Sequence, residues 1–318
     1  MVSAVIFVAT SCVSPLTGFA FWETNLAYEG ESIYNYLQVK NLSDRTILST
    51  NVLFGVQSVT MKDKGLTGMY YDTALAAPAL ADNANSALIL GMGAGTYARQ
   101  LKQYYPKMNI TGVEIDQKIT DLAGEYFDEP ADIPVTTYDG RAWLAASHDK
   151  YDVIMVDAYQ DITIPFQMSS TEFFTMVREH LNPGGVMVVN MNMISDGQGS
   201  INEALSDTIA SVFGNGNTLT ADVPNTTNRE LFAKKPGSGS EENSMQQASK
   251  ALNLRETTYE RTGSEDLEWY MEEVASRFRK VNEPDSASTI LTDDKAPVEV
   301  LGMHAIDQII ADEAGPYR

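Results

Sequence analysis

The sequence has few of the residues that form disulfides and transition-metal sites. It contains one cysteine, Cys12, and three histidines, His148, His180 and His304, which lie far apart along the chain. A single cysteine can form neither an internal disulfide nor a cysteine-rich metal site, and histidines without partners at ligand spacing argue against a zinc enzyme. The pattern G-x-x-x-x-G-K-S/T is absent as well, which excludes a P-loop. We therefore expect no metal cofactor.

Basic residues are also scarce: 22 Lys and Arg residues stand against 43 Asp and Glu residues, and the net charge is -21. This imbalance argues against nucleic acid or an anionic membrane as the main partner, because both bind clustered basic side chains. It favours a cationic ligand such as a small amine, although solubility alone would also explain the charge. Hydrophobic residues make up 43% of the chain, which is enough for the core of one large domain or two ordinary ones.

Residues 1–22 contain no charged side chain and form an apolar N-terminal segment. The segment is just long enough to span a bilayer, but Ser, Thr and Pro residues dilute it, and no Lys or Arg precedes it as in a secretory signal. Three interpretations remain open: the end of a transmembrane helix, a weak anchor, and a strand with a loop that packs on the protein body. We favour association with a membrane edge, with the globular part in the cytoplasm.

Two rhythms of apolar residues divide the rest of the chain. From Glu31 to Thr60 apolar and polar residues nearly alternate, which predicts a small antiparallel β region. From Ser86 onward continuous apolar runs alternate with helical patterns, which predicts an α/β fold with a doubly wound, mostly parallel Rossmann-like sheet. The predicted strands of that sheet are residues 87–90, 110–114, 135–138, 151–157 and 186–191.

The same rhythms, together with a polar stretch rich in Gly and Ser at 236–244, set the predicted domain borders. Residues 23–80 form a small β-rich N-terminal domain, and residues 81–235 form a nucleoside-binding, Rossmann-like catalytic domain. Residues 236–318 form a polar loop and a C-terminal extension, which we expect to be helical over 246–281.

Three features at the carboxyl ends of successive strands predict a site for an adenosine-containing ligand. Gly91, Gly93 and Gly95 follow the first strand, where glycine lets the backbone turn and approach a ligand. Glu114 ends the second strand, where a carboxylate can accept both ribose hydroxyls. Asp139 follows the third strand and can accept the amino group of an adenine; alternatively, both acids only begin the next helices. The third glycine of G-x-G-x-x-G is missing, which disfavours a dinucleotide.

The fourth strand runs directly into Asp157, which we interpret as a proton acceptor for an attacking amine. A carboxyl group at the end of an apolar strand is partly desolvated, which raises its pKa, and attack by an amine near neutral pH needs such an acceptor. Tyr159 and Asp161 lie beside it, and Tyr70 and Tyr71 add aromatic walls that suit a polyamine chain. The alternative is that Asp157 stabilises a loop while the tyrosines pack between domains.

Several segments resemble, in order, the core of the spermidine synthase family. They are LILGMGAGT, GVEID, YDGRAWL, DVIMVDAYQD and EFFTMVREHLNPGGVMVVN, preceded by YNYLQV, FGVQS and MYYD. The segment LTDDKAPVEVL resembles the close of membrane-linked, spermidine-synthase-like bacterial proteins, and the likeness covers residues 30 to 302. It implies transfer of an aminopropyl group from decarboxylated S-adenosylmethionine to a diamine, without a metal, by a chain that forms a homodimer.

The resemblance also implies roles for individual residues. On the acceptor side, Asp157 matches the catalytic aspartate that receives the proton of the amine, and Tyr70 matches the tyrosine that lines the amine channel. On the donor side, Glu114 matches the acid that binds the ribose. Asp139 and Gly140 match the pair of residues beside the adenine, and Gln57 matches a glutamine of the N-terminal sheet.

Departures from the family pattern leave the substrate open. Ala94 stands where the glycine loop of the family carries an aspartate, and Gln160 stands where its catalytic loop offers a second acid. Asn35 replaces a glutamine of the first sheet motif, and Tyr71 replaces a glutamine or histidine. The residues that we expect to bind the acceptor are Tyr71, Tyr159, Gln160 and Asp161.

Two alternatives to aminopropyl transfer remain. A methyltransferase would use intact S-adenosylmethionine on the same fold, and Ala94 would then remove an acid that competes with the carboxylate of that donor. A non-catalytic module would sense a nucleoside or a polyamine for a membrane partner. The presence of Glu114, Asp139 and Asp157 at strand ends argues against the second alternative.

Overall fold

A computed structural model describes residues 20, 23–51, 56–158, 164–192, 199–237 and 244–314. Two β-sheets organise these residues, a four-stranded sheet near the N-terminus and an eight-stranded sheet. The strands of the smaller sheet are Leu26–Glu31 (β1), Tyr36–Asn41 (β2), Arg45–Thr50 (β3) and Ser58–Met61 (β4). They follow one another in space in this order, and every neighbouring pair is antiparallel, as the alternating rhythm predicts.

The larger sheet combines parallel strands with antiparallel additions. Its strands are Ser86–Leu90 (β5), Asn109–Glu114 (β6), Val135–Thr137 (β7), Tyr151–Val156 (β8), Leu181–Met191 (β9), Thr218–Asp222 (β10), Arg229–Lys234 (β11) and Phe278–Lys280 (β12). They lie in the order β12-β10-β11-β9-β8-β5-β6-β7. The five strands from β9 to β7 pair in parallel. On the other side of β9 all pairs are antiparallel: β11 pairs with β9, β10 pairs with β11, and β12 pairs with β10.

The helices of the described residues lie mostly between these strands. They are Tyr70–Ala74 (α1), Ala76–Leu80 (α2), Thr96–Tyr104 (α3), Gln117–Tyr126 (α4), Gly140–Ala146 (α5), Thr171–His180 (α6), Ile201–Phe213 (α7), Ser244–Ala248 (α8), Ala251–Thr262 (α9), Glu265–Arg277 (α10) and Val298–Ala314 (α11). Alternation of helices with parallel strands confirms the predicted doubly wound α/β class.

The larger sheet is buried on both faces, which explains the continuous apolar runs of its central strands. On β8, Val153 and Met155 face α1, α2, α3, α9 and α10, and we call this side the α1 face. Ile154 and Val156 of the same strand face α5, α6 and α7 on the opposite side. Side chains that alternate along one strand therefore enter two separate apolar cores.

The structure contains strands that the apolar rhythm does not indicate. The strands β10 and β11 extend the sheet beyond the five predicted ones, and β12 occupies the end of the stretch 246–281, which is helical only in α8, α9 and α10. Charged residues occupy the beginning and end of β11, namely Arg229, Glu230 and Lys234, although all three are buried. Because these residues are charged, β11 lacks the continuous apolar run that predicts a buried strand. The predicted domain borders stay a prediction.

The prediction for the apolar N-terminal segment falls on residues 1–19 and 21–22, which lie outside the described residues. Ala20 is buried, and its N–H donates a hydrogen bond of 2.9 Å to Oε1 of Glu29. Among the described residues, no helix has the length and apolar character needed to cross a bilayer.

Candidate active site

An open cavity lies at the carboxyl ends of β5, β6 and β8. This edge is the expected position of a ligand site in an open α/β sheet. The tip of the β1–β2 hairpin, the turn after β5, the start of α5 and a short helix at Phe166–Met168 complete its walls. Eight of the predicted site residues line it: Gln57, Tyr71, Gly91, Gly93, Glu114, Asp139, Gly140 and Asp157.

Two further predicted residues, Gly95 and Tyr70, do not line the cavity. Gly95 begins α3 with a left-handed φ of 77° and does not line the cavity. Tyr70 is buried behind the wall, where it contacts Asp157 rather than the open space. The predictions for three acceptor-side residues fall outside the described residues, and these are Tyr159, Gln160 and Asp161.

The turn after β5 requires glycine because of its close approach to β8. Gly91 has a φ of 88°, and a Cβ atom there would lie 2.4 Å from the carbonyl oxygen of Asp157. A side chain would therefore collide with backbone atoms that cannot move without displacing the end of β8. The turn also aims its backbone at the cavity, since the N–H of Gly93 donates a hydrogen bond of 2.8 Å to Oε2 of Glu114.

Glu114 is held at the end of β6 with only 6% of its surface exposed. In addition to the bond from the glycine turn, its Oε1 accepts a hydrogen bond of 3.0 Å from the N–H of Asp116. Burial raises the pKa of Glu114, and the backbone hydrogen bonds oppose that shift. The helix cap that the alternative interpretation assigned here belongs to Asp116, whose Oδ1 accepts a hydrogen bond from the N–H of Lys118.

Asp139 has two roles at the start of α5. Its Oδ1 accepts a hydrogen bond of 2.7 Å from the N–H of Ala142, which makes it the N-cap of the helix. The same half-buried residue lines the cavity next to Gly140. The capping interpretation is therefore correct, and it also fixes the carboxylate at the cavity wall.

Asp157 is the most strongly perturbed acid of the cavity. Only 8% of it is exposed, Oδ2 accepts a hydrogen bond of 2.7 Å from the hydroxyl of Tyr70, and Oδ1 accepts one of 2.9 Å from Nδ2 of Asn190. Burial raises its pKa from 3.8 to about 7, although the two hydrogen bonds lower it and the charge of Glu114 raises it slightly. A carboxyl group with a pKa near neutrality can both accept and release a proton at the operating pH.

Asn190 is a site residue that sequence reasoning missed. It is the last but one residue of β9 and follows a run of apolar residues, as Asp157 follows the apolar run of β8. A polar side chain at the carboxyl end of a buried parallel strand was therefore a signal that the sequence contained.

The two neighbouring tyrosines of α1 divide their roles between the wall and the interior. Their rings stack at 4.0 Å between centroids with an angle of 35°. Tyr71 lines the cavity, and its hydroxyl donates a hydrogen bond of 2.5 Å to the carbonyl oxygen of Gln57. Burial raises the pKa of both hydroxyls, so both remain protonated donors near neutral pH.

The tip of the β1–β2 hairpin is attached to the turn between β6 and α4. Asp116 accepts hydrogen bonds on Oδ2 from the hydroxyl of Ser32, at 2.5 Å, and from Nδ2 of Asn35, at 3.0 Å. Tyr34 and Asn35 line the cavity as a result. Asn35, which replaces a glutamine of the family, thus belongs to a contact that positions the hairpin at the cavity near Glu114.

Ala94 is fully buried in a small apolar core between the four-stranded sheet and α4. Its neighbours in that core include Leu37, Leu48 and Phe127. A carboxylate at this position would lose its hydration among apolar side chains, which is unfavourable without a partner. The absence of the family aspartate is therefore consistent with the local packing.

The strand order and the antiparallel strand inserted beside β9 define a Rossmann-like sheet of the methyltransferase type, with an acid-lined cavity at its carboxyl edge. The family model for the spermine/spermidine synthase domain matches residues 69–235. The chain belongs to this family and is an aminopropyltransferase.

Individual relatives support the assignment. A probable polyamine aminopropyl transferase of Bifidobacterium longum is 99% identical over 318 residues, which are 100% of this chain and 71% of the relative. A probable spermidine synthase from Corynebacterium glutamicum superposes with a TM-score of 0.60 at 22% identity, over 84% of this chain and 99% of that chain. A spermidine synthase in complex with the transition-state analogue AdoDATO has a TM-score of 0.56 at 17% identity, over 67% and 75% of the two chains. The two structural likenesses show the fold.

Proposed function

We propose that this enzyme transfers an aminopropyl group from decarboxylated S-adenosylmethionine to a small amine, with Asp157 as the proton acceptor. The observation that carries the proposal is the position of Asp157: a buried carboxyl group at the cavity wall, held by Tyr70 and Asn190, with a pKa of about 7. This geometry suits a base that must receive a proton from nitrogen near neutral pH.

The donor would bind at the opposite side of the cavity. Glu114 is fixed by two backbone N–H groups and retains lone pairs for the ribose hydroxyls, since each carboxylate oxygen can accept more than one hydrogen bond. Asp139 and Gly140 stand at the start of α5, where they can contact the adenine edge. These residues lie beside the glycine turn, which leaves room for the nucleoside.

The chemical step needs no further cofactor from the protein. The lone pair of the acceptor nitrogen forms a bond to the carbon next to the sulfonium of the donor, and the carbon–sulfur bond breaks. Its electron pair stays on sulfur, which leaves neutral methylthioadenosine. The proton from the attacking nitrogen passes to Asp157, which the hydroxyl of Tyr70 holds in place. The protein supplies orientation and the proton acceptor.

Replacing Asp157 by Asn tests the role of the carboxyl group. D157N is expected to lower kcat by about 10²–10⁴-fold, because the amide cannot accept the proton, while the Kd of methylthioadenosine stays within about twofold. The exposed acid Asp149 provides a matched control, and D149N should keep the wild-type kcat. Full activity of D157N would refute the proposed role.

Calorimetric titration identifies the donor. We expect decarboxylated S-adenosylmethionine to bind more tightly than the intact form, because the carboxylate of the intact form adds negative charge next to Glu114 and Asp157. Preference for the intact form would indicate a methyltransferase. Absence of binding by both donors and by methylthioadenosine would refute the proposal.

We also propose that the enzyme works in the cytoplasm as a homodimer. Both suggestions rest on the family resemblance, and sedimentation equilibrium of the purified chain tests the second. A monomer at micromolar concentration would contradict it. Flotation of the chain with and without residues 1–22 on lipid vesicles tests the proposed membrane association of that segment.

A further inference from the structure

The segment LTDDKAPVEVL, at residues 291–301, has no role in the mechanism described above. Its residues Leu291 and Val298 are 0% exposed and belong to the apolar core beside α5, α6 and α7. The backbone of Leu291 is fixed as well, because its N–H donates a hydrogen bond to Oγ1 of Thr208 and its carbonyl oxygen accepts one from the N–H of Thr171. The side chains between these two anchors therefore have a fixed position.

Asp293 lies between the anchors and forms a bidentate ion pair with Arg141, the second residue of α5. Nη1 of Arg141 donates a hydrogen bond of 2.7 Å to Oδ1, and Nη2 donates one of 2.6 Å to Oδ2. Oδ1 also accepts a hydrogen bond of 2.5 Å from the hydroxyl of Ser170, the N-cap of α6. The guanidinium lowers the pKa of Asp293, so both groups are charged at neutral pH. A bidentate pair of this kind fixes the orientation of the arginine.

Arg141 connects this ion pair to the wall of the cavity. Its Nη1 also donates a hydrogen bond of 2.7 Å to the carbonyl oxygen of Gln167, in the short helix Phe166–Met168. Gln167 and Met168 line the cavity, whereas Arg141 and Asp293 stand behind them. A helix of three residues has few hydrogen bonds of its own, so contacts with other elements determine its position.

The wall that Arg141 holds borders the proposed donor side. A Cβ atom on Gly140 would lie 3.6 Å from Cε of Met168, so the short helix adjoins the start of α5. Arg141 directly follows Asp139 and Gly140, the residues that we place beside the adenine. One guanidinium therefore joins the first turn of α5 to the short helix, and the two elements form one side of the cavity.

We propose that Asp293 is a positioning residue for the donor, which acts through Arg141 and the carbonyl oxygen of Gln167 on the cavity wall. The inference rests on the proposed function, which places the adenine at the start of α5. It assigns the C-terminal segment a role in donor affinity and leaves proton transfer to the residues already described. The side chain of Asp293 is 41% exposed, and exposed ion pairs contribute little to stability, so the effect should appear in binding.

The first test measures the Kd of methylthioadenosine by calorimetry. Asp293→Asn removes the charge and replaces one accepting oxygen by an amino group, so the Kd should rise about five- to twentyfold. The adjacent acid Asp294 is exposed, and Asp294→Asn should keep the Kd within about twofold as the matched control. A wild-type Kd in Asp293→Asn would overturn the inference alone. If the wild type does not bind methylthioadenosine, the proposed function itself fails.

Steady-state kinetics separate positioning from a loss of folded enzyme. In Asp293→Asn the KM of the donor should rise in parallel with the Kd, while kcat and the KM of the amine stay within about twofold. A decrease in kcat alone would indicate partial unfolding and would overturn the inference. Ser170→Ala removes the N-cap of α6 and should lower the Tm without changing the Kd. If it weakened binding as much as Asp293→Asn, Asp293 would act through α6 and the inference would be wrong.

A double-mutant cycle tests whether Asp293 acts through Arg141. Arg141→Gln removes both the ion pair and the hydrogen bond to Gln167, so its Kd should rise at least as much as that of Asp293→Asn. The double variant should bind methylthioadenosine like Arg141→Gln alone, because the contact between the two side chains is already absent. Fold-changes that multiply in the double variant would show independent effects and would overturn the inference.

Discussion

The protonation state of Asp157 results from opposing effects of its surroundings. Burial favours the neutral acid, whereas hydrogen bonds from Tyr70 and Asn190 favour the carboxylate. The balance places the pKa at about 7, within the range where a small change in either effect alters the fraction of active enzyme. The two donors are therefore positioning residues that also tune the base.

Replacing Tyr70 by Phe should move the acid limb of the kcat profile to higher pH. The variant removes a hydrogen bond that lowers the pKa of Asp157 and leaves the burial in place. Because the active carboxylate forms as pH rises, the rate should rise through a pKa about one pH unit higher than in the wild type. In contrast, Tyr105→Phe removes a buried hydroxyl without a partner among the described residues, and its profile should match the wild type. An unshifted limb in Tyr70→Phe would contradict this tuning.

Glu114→Ala should weaken binding of methylthioadenosine by roughly tenfold or more. The variant removes the proposed acceptor of the ribose hydroxyls and leaves the N–H groups of Gly93 and Asp116 without their partner. Calorimetry gives the Kd directly, and Glu125→Ala on the exposed side of α4 serves as the control. A wild-type Kd in the Glu114 variant would refute the ribose assignment.

At the scale of residues, position relative to a strand decided what the sequence could predict. Glu114 and Asp157 end apolar strands of a parallel sheet, and the cavity lies where that rule places it. Glu230 could not be found in this way, because β11 runs antiparallel and brings its beginning, not its end, to the functional edge. Only the order and register of the strands reveal that Glu230 is paired with Asn190, which in turn donates a hydrogen bond to Asp157.

At the scale of elements, the turn between β5 and α3 connects the donor side of the cavity to the catalytic strand. The backbone of Gly91 lies against the carbonyl group of Asp157, and the N–H of Gly93 contacts Glu114. A change in this turn therefore affects both acids at once.

Gly91→Ala should destabilise the fold by roughly 2–5 kcal/mol and weaken donor binding. The added Cβ atom would meet the backbone of Asp157 at 2.4 Å, and the left-handed φ of 88° adds strain for a residue with a side chain. Gly124→Ala in α4 is the matched control, because nothing lies within 4 Å of its added Cβ atom. It should stabilise the protein by about 0.5–1 kcal/mol. Urea unfolding measures both, and equal effects of the two variants would contradict the account.

Elements with an apolar run were predictable, and elements without one were not. The central strands β5, β6 and β8 can be predicted from the sequence, because burial of both faces gives each a continuous apolar run. The edge strand β12 has three residues, FRK, of which two are basic, and it forms only because β10 offers an unpaired edge. Such a strand is fixed by tertiary pairing rather than by its own composition.

At the scale of the whole molecule, acid groups dominate the electrostatic energy. The net charge of -21 produces self-repulsion at neutral pH, and Glu114, Asp157 and Glu230 are buried acids whose pKa values are raised by desolvation. These two effects act in the same direction, since protonation relieves both. The fold should therefore tolerate mild acid better than alkali.

The free energy of unfolding should fall as pH rises from about 4 to about 7. In this window the native Asp157 keeps a proton that the unfolded chain has lost, and its contribution is roughly 4 kcal/mol between the two limits. Below about pH 4 the trend reverses, because Asp293 is paired with Arg141 and has a lowered pKa. The measurement is Tm against pH for the wild type and Asp157→Asn. The variant should show the shallower decline, and parallel curves would contradict the linkage.

The buried position of Asp157 has a consequence for how the enzyme would take up its acceptor. Near pH 6 the carboxyl group is mostly neutral, because its pKa is about 7. An arriving ammonium group favours the carboxylate, so the proposed amine would enter as the proton leaves for the buffer. Uptake of the amine is then an exchange of one cation for another, and acidification of the surroundings competes directly with the substrate. The heat of amine uptake would include the ionisation heat of whichever buffer receives that proton.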